Sequence, residues 1–320
     1  MDSSEPIPRS TVTGRFAPSP SGRMHAGNAF ASLMAWLAAR SESGRMVLRI
    51  EDLDERTRNR SVAEALIDDL AWMGLDWDEG PYWQSERCDV YADAVGRFRA
   101  AGLTYPCFCS RADLHAATAP HASDGTYVYQ GTCRGLSAEE VATRSSVRPP
   151  ATRLLVGDAE ISFCDLALGP QHEVLARDCG DFVVQRADGT YAYQLACAVD
   201  DALMGVTQVV RGNDLLGSTA RQMYVQRLLE LENPTYGHVP LLVAADGRRL
   251  AKRDGDLDLG ALRERGFSPE RFVGWLGSLA GLVEAGSELT AKELVAYFSW
   301  NKMRVCEHQI VVDEKALSAV

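Results

Sequence analysis

The chain has 320 residues, 46% hydrophobic and 24% charged, with a formal net charge of −11. That is ordinary globular material sized for about two domains; no apolar stretch approaches the roughly 18 residues of a membrane span, and the acidic balance excludes a global attraction to nucleic acid, though not a local basic face. "MDSSEPIPRSTV" lacks the charged-then-apolar pattern of a secretory signal. A cytoplasmic protein is expected, in which the eight cysteines are thiols or metal ligands rather than disulfides.

In chain order, "TVTGRFA" reads as a short strand, and apolar residues at Phe30, Leu33, Met34 and Leu37 predict an amphipathic helix over about 26–40, with Gly44 as its stop. "RMVLRIEDLD" follows as a second strand, so the first 50 residues form a βαβ unit of a parallel α/β sheet. A second helix is predicted over about 61–74, ending at Gly74. From Tyr105 to Arg134 the composition shifts to Cys, Pro, His, Ser and Gly, the mark of a small inserted module. Residues 135–180 carry no readable pattern. "TYAYQLACAVDD" and "VTQVVRG" read as a return to parallel-sheet material, followed by a helix over about 218–231. After "RRLAKRDGD" the segments "DLGALRERG", "SPERFVGWLGSLAGL" and "TAKELVAYFS" all read as helical. Cys88, Cys164, Cys179, Cys197 and Cys306 have no ligand-like spacing and read as small core residues.

The stretch "GRFAPSPSGRMHAGNAF" puts two prolines, three glycines and a histidine at the mouth of the first helix. Gly22 and Gly27 permit close backbone approach, Pro18 and Pro20 stiffen the turn, and the free N–H groups and positive dipole end of the helix face it. Two readings stand: a plain strand-to-helix connection, or a phosphate site to which His25 donates. It is neither a G-x-G-x-x-G element nor a P-loop.

"RFAPSPSGRMHAGNAF" followed by "LRIEDLD" resembles the start of the class I glutamyl-tRNA synthetases, and further matches run in order: "YPCFC", "AYQLACAVDD", "VVRGNDLL", "RQMYVQRLL" and "RLAKR". The resemblance covers most of residues 12–255. It departs at the ATP-binding "HIGH" element, which reads His25-Ala26-Gly27-Asn28, and at "KMSKS", which reads Arg249-Leu250-Ala251-Lys252-Arg253 and keeps the lysine without the serines. Only about 65 residues follow that lysine, which points to the truncated paralogs of the family that glutamylate the queuosine of tRNA(Asp) and lack an anticodon-binding domain. The resemblance implies a Rossmann-type parallel sheet with a small zinc-containing insertion and a short C-terminal helical region. The implied divisions are 1–104 and 181–255 for the two catalytic halves, 105–180 for the insertion and 256–320 for a helical stem.

It also implies an ATP-dependent ligase that activates L-glutamate as the adenylate without tRNA and passes it to queuosine-bearing tRNA(Asp), with Mg2+ and Zn2+ as metals, no membrane partner and a monomeric state. Short glutamyl-tRNA synthetases charging tRNA(Glu), and non-catalytic nucleotide- or RNA-binding modules, are the alternatives. By motif position, His25 and Lys252 are the catalytic pair, and Pro18, Gly27 and Asn28 join them around ATP. Arg15, Tyr193 and Arg211 correspond to readers of the side-chain carboxylate, suited to it by the guanidinium fork and the phenolic donor. Ser19 and Glu51 correspond to the groups holding the α-ammonium. The plainer readings are a turn or cap for Glu51-Asp52, a surface arginine at Arg211, a solvated lysine at Lys252, and for Tyr193 a place on one strand face with Tyr191.

Cys107-Phe108-Cys109 and the later Cys133 can fill three corners of a zinc tetrahedron, or be three buried thiols without metal. By chemistry alone His115 or His121 is the usual fourth ligand. The resemblance points instead to Tyr129, in a Y-x-x-x-C arrangement with Cys133. Arg134, Arg144, Arg148 and Arg153 form either a basic strip beside this module or a solvated face.

Overall fold

The computed structural model of the chain describes residues 11–110, 113, 128–248, 258–303 and 308–312. The chain enters through β1 (Thr13–Phe16), crosses over by α1 (Ala26–Ser41) and returns in parallel as β2 (Arg45–Ile50). The α1 stripe of Phe30, Leu33, Met34 and Leu37 is fully buried, as its spacing predicts. Helix α2 (Arg60–Trp72), capped by the Asn59 side chain and ended at Gly74 with φ +75°, leads to β3 (Glu79–Trp83), which pairs in parallel with β2. β2 is buried from Met46 to Ile50 because the sheet is covered on both faces. Helix α3 (Cys88–Ala100) closes the first half.

The middle of the chain changes pairing. β4 (Thr104–Cys107), α4 (Ala138–Ser145) and β5 (Ala151–Leu154) are followed by the antiparallel hairpin of β6 (Glu160–Asp165) and β7 (Gly169–Val174). After the single-turn helix α5 (Leu175–Asp178), β8 (Phe182–Gln185) completes an antiparallel sheet in the order β4-β5-β8. This is the stretch that sequence periodicity leaves unread: its strands are four to six residues long, too short to repeat a pattern.

The return to the parallel sheet corrects one expectation. "YAYQLACAVDD" is not a strand: Tyr193–Leu203 form helix α6, with Leu195, Ala196, Ala198 and Val199 buried. The strand character ends in a single bridge between Gln185 and Tyr191, after which Ala192 caps the helix. Five alanines and leucines among its eleven residues favour the helix, and the aromatic pair that suggested a strand lies at its threshold. β9 (Gln208–Gly212), α7 (Leu216–Leu228) and the parallel β10 (Thr235–Val239) complete the second half. β9 runs beside β1, where Thr13 N donates to Thr207 Oγ1 and Thr207 N to Thr13 O, both at 2.9 Å.

β11 (Leu241–Val243) is followed by α8 (Leu259–Glu264), α9 (Pro269–Leu279) and α10 (Ala291–Leu294). The region is not helical throughout, since β12 (Gln309–Val311) comes back to pair in parallel with β11. Its apolar residues Leu259, Leu262, Phe272, Leu276 and Leu294 join the α1 core. Among the described residues no helix is long and apolar enough to cross a membrane.

Candidate active site

The carboxyl ends of β1, β2 and β9 and the N-terminus of α1 open into one cleft of about 680 Å3, the position at which open parallel sheets hold ligands. Nine of the residues singled out from sequence line it: Arg15, Pro18, Ser19, His25, Gly27, Asn28, Glu51, Tyr193 and Arg211. The tenth, Lys252, lies outside the described residues. Leu241 and Leu242 of β11 line the cleft, and Asp258 bridges to His25 while Leu259 N donates to Met24 O at 3.0 Å.

His25 is the N-cap of α1, in extended conformation (φ −113°, ψ 166°), with its ring beside Gly27. A Cβ added at Gly27 would lie 3.3 Å from both Cε1 and Nδ1 of His25, so glycine lets the ring lie against the first turn of the helix. No acidic residue occupies that turn, leaving its dipole available to an anion.

Opposite the helix mouth stands a set of buried charges. Arg15 donates from Nη1 to Val210 O at 3.1 Å and stands 3.6 Å from Asp201, while its Nε has no hydrogen-bond partner among the described residues. Arg49, with no exposed surface, donates to Asp201 at 2.6 Å, to Glu51 at 3.2 Å and to Cys197 Sγ at 3.4 Å. Burial would push the Asp201 carboxyl up, but Arg49 and Arg15 overcome it and hold it below the ordinary value. For Glu51 burial wins over the same two guanidinia and its pKa is raised. Burial and Asp201 push the Cys197 thiol up to about 12, so it is inert. Asp52 faces away, accepting from Ser85 N and Oγ at 2.8 and 2.6 Å, and takes the turn-fixing role that the plain reading gave to the pair.

Arg211 enters the cleft from β9 with its guanidinium held on three sides. Nη1 donates to Gln222 at 2.8 Å and Tyr193 OH at 3.4 Å, Nη2 to Thr219 Oγ1 at 2.9 Å, and Nε to His238 Nε2 at 3.1 Å. It is 4% exposed, so it is no surface arginine. Tyr193 is the first residue of α6, its phenol raised in pKa chiefly by burial.

Sequence reasoning missed Arg49, Asp201, Asp165 and His238. A signal existed for Arg49, a charge inside the apolar strand "MVLRI", and for Asp201, at the end of an apolar helical face. None existed for His238, whose meaning comes from a partner 73 positions away.

The insertion gathers Cys107, Cys109 and Cys133 with their sulfurs within 4.8 Å of one another, the one such cluster able to hold a metal ion among the described residues. Tyr129 OH lies 3.6 Å from Cys107 Sγ and 3.7 Å from Cys109 Sγ, and accepts from Cys133 N–H at 2.8 Å. Arg153 donates to Cys107 Sγ at 3.2 Å and lies 3.7 Å over the Tyr129 ring. Although burial disfavours the Cys107 thiolate, Arg153 and the Cys109 backbone lower its pKa; burial raises Cys109 to about 11. His115 and His121 lie outside the described residues. Of the arginine strip, Arg153 is buried in this cluster and Arg134 is bound to Asp181 at 2.7 Å, leaving Arg144 and Arg148 on a groove of about 500 Å3 that Phe108 and Cys109 also line. Cys179 and Cys197 are buried as expected, Cys88 half-buried; Cys164 is exposed on β6, against expectation, because it points away from the face that packs Ile161. Cys306 lies outside the described residues.

Residues 11–318 match the model of the tRNA synthetases class I (E and Q), catalytic domain. The chain belongs to this family, an α/β catalytic domain of ATP-dependent ligases. Within the family it is 50% identical over 299 residues to the glutamyl-Q tRNA(Asp) synthetase of Symbiobacterium thermophilum, spanning 90% of this chain and 92% of that one. It is 44% identical to glutamate–tRNA ligase 2 of Alkalilimnicola ehrlichii, spanning 84% of this chain but 58% of that one. Among solved structures, a glutamate tRNA ligase from Elizabethkingia meningosepticum in complex with its amino acid superposes with a TM-score of 0.80 at 25% identity, covering 97% of this chain and 68% of the other.

Proposed function

We propose that this enzyme activates L-glutamate with ATP to glutamyl-adenylate without tRNA, then transfers the glutamyl group to the queuosine base in the anticodon of tRNA(Asp). The observation that carries the reading is the convergence of nine motif residues on one cleft, with both signs of charge in it. The likeness to relatives named glutamyl-Q tRNA(Asp) synthetase, matched over nearly their whole length, supports the tRNA.

Glutamate brings two carboxylates and one ammonium. Arg211, Tyr193 and Arg15, all lining the cleft, take the side-chain carboxylate. Glu51 and Ser19 take the ammonium, which as a positive neighbour favours the ionised form of the buried Glu51. The α-carboxylate oxygen then attacks the α-phosphorus of ATP, the bond to the β-phosphate bridging oxygen breaks, and pyrophosphate leaves. Charge accumulates on the phosphate oxygens, so positioning and electrostatic stabilisation dominate. His25, Gly27, Asn28 and Pro18 line that end of the cleft, and Lys252 is assigned by motif position the ammonium that stabilises the transition state. Magnesium, general to the family's reaction, neutralises triphosphate charge when bound.

Zinc fits the insertion. Thiolates about 2.3 Å from a tetrahedral zinc lie about 3.8 Å apart; Cys109 and Cys133 sulfurs are 3.6 Å apart, and the Tyr129 oxygen is as close to Cys107 and Cys109. Burial and the neighbouring thiols push the Tyr129 phenol up, against the backbone donor from Cys133, so the bound ion itself would have to draw off the proton. Cys107, Cys109, Cys133 and Tyr129 would hold the ion, which is structural. Division into catalytic halves at 1–104 and 181–255 about an insertion at 105–180, with residues 256–320 as stem, and a monomeric cytoplasmic state complete the reading.

Glutamate-dependent ATP–pyrophosphate exchange measured without RNA, then transfer to tRNA(Asp) with and without queuosine, tests it. Exchange without RNA and queuosine-dependent transfer are expected. Exchange that needs tRNA(Glu) would instead make the protein a short glutamyl-tRNA synthetase, and ATP binding without exchange would make it a binding module.

A further inference from the structure

One buried polar group beside the cleft has no part in the steps above. His238, on β10, has no exposed surface, yet it makes four polar contacts. Its Nδ1 lies 2.6 Å from Asp165 Oδ2, and its Nε2 faces the Arg211 Nε–H at 3.1 Å and the Thr219 hydroxyl at 3.3 Å. A guanidinium N–H can only donate, so Nε2 must present its lone pair and the proton must sit on Nδ1, donating to Asp165. Asp165 is itself fixed: its other oxygen accepts from the backbone N–H groups of Ala167, Leu168 and His238 at 2.9, 2.9 and 3.1 Å. The ring stacks 6.2 Å from Tyr236, over which Arg211 also lies.

From this chain of contacts we propose that His238, locked in one tautomer by Asp165, is the positioning residue that aims Arg211 at the substrate's side-chain carboxylate. The proposal rests on the reading of Arg211 given above. Arg211 has Gln222, Thr219 and Tyr193 on its two terminal nitrogens, and only His238 holds the Nε corner. Four of its five N–H groups are held within the protein, and without His238 the fork pivots about the terminal contacts and the remaining Nη2 N–H turns away from the carboxylate. The groups facing the imidazole are Asp165 from β6, Arg211 from β9, Arg15 from β1, Thr219 from α7 and Tyr236 from its own strand. Burial and the two arginines press its pKa below the usual 6.5 against the pull of Asp165, which keeps the ring neutral at the working pH. Protonation would put an N–H at Nε2 against the N–H of Arg211.

The test is the KM for glutamate and for ATP in exchange without RNA. Asp165→Asn keeps an oxygen for the three backbone donors but offers N–H to the imidazole, which selects the other tautomer. It should raise the KM for glutamate about tenfold or more, with the KM for ATP unchanged, the effect of a lost hydrogen bond to a charged group. His238→Ala should do the same, and His238→Gln, whose side-chain oxygen reaches the Nε2 position, should recover most of the loss. The parent's KM for glutamate should climb as pH falls below about 6, more steeply than in His238→Gln, which keeps only the part due to protonation of Glu51. Parallel pH profiles, or equal KM values in His238→Ala, His238→Gln and the parent, overturn the proposal. Arg211→Lys separates the two readings: a raised KM there with parental behaviour at His238 rejects only the relay, whereas a parental KM in Arg211→Lys rejects the carboxylate assignment itself.

Discussion

The two polar centres of this molecule are built on opposite plans. In the parallel half, charges are buried against each other: Arg49 binds Asp201 and Glu51, Arg15 stands beside Asp201, and the cleft keeps its shape from contacts within the protein. Beside the antiparallel β4-β5-β8 sheet, three thiols and a phenol converge with contacts of 3.6–3.7 Å between them and a small apolar cluster of Tyr105, Cys107, Phe108, Tyr129 and Cys133 around them. One site is self-complementary; the other gathers soft ligand atoms within 4.8 Å of one another, a set that could hold a metal ion. The difference teaches where each is fragile: the first to loss of one charge, the second to loss of an ion.

Breaking the first plan should cost most. Arg49→Met leaves Asp201 and Glu51 buried without their partner, and removing one member of a buried charge pair costs about 3–5 kcal/mol; denaturant unfolding measures it, and a loss under about 1 kcal/mol would mean the cluster is solvated rather than self-supporting. Next in size, Lys252→Ala should reduce exchange by about 100-fold with little change in unfolding, as for a donor acting on transition-state charge. Less than a threefold loss would remove it from the mechanism. The second plan is broken by chelation, which should lower stability by about 3 kcal/mol if the free metal stood near 100 times its dissociation constant. Cys107→Ser should reproduce the lower melting temperature and abolish the response to chelator; a parent whose melting curve ignores chelator is not a metalloprotein. Gly27→Ala sharpens the comparison most gently: alanine gains about 0.5–1 kcal/mol in a helix while pressing on the His25 ring, so the melting point should hold or rise as the KM for ATP climbs about threefold.

What the sequence disclosed tracks the range of the interactions involved. The α1 stripe and the turn before it are local, and so Phe30 to Leu37, His25 and Gly27 are readable from spacing. Arg15, Glu51 and Arg211 are placed by motif position and line one cleft, but what holds them there was not legible, because Arg49 meets Asp201 across 152 positions and His238 meets Asp165 across 73. Tyr193 was assigned to the cleft correctly in place but on the wrong element, since two tyrosines at alternate positions mimic a strand where one bridge and a helix start adjoin. The β4-β5-β8 sheet was invisible for a simpler reason: each strand finds its partner across a long connection.

Asp165 sits at the tip of the β6–β7 hairpin, inside the stretch that reads as an insertion, yet its second oxygen orients a histidine of the central sheet. The inserted module is therefore not a cartridge. A chimera that exchanges residues 105–180 for those of a cousin also exchanges the carboxylate that accepts from His238 beside the cleft, so the cleft's behaviour would travel with a segment distant from it in sequence.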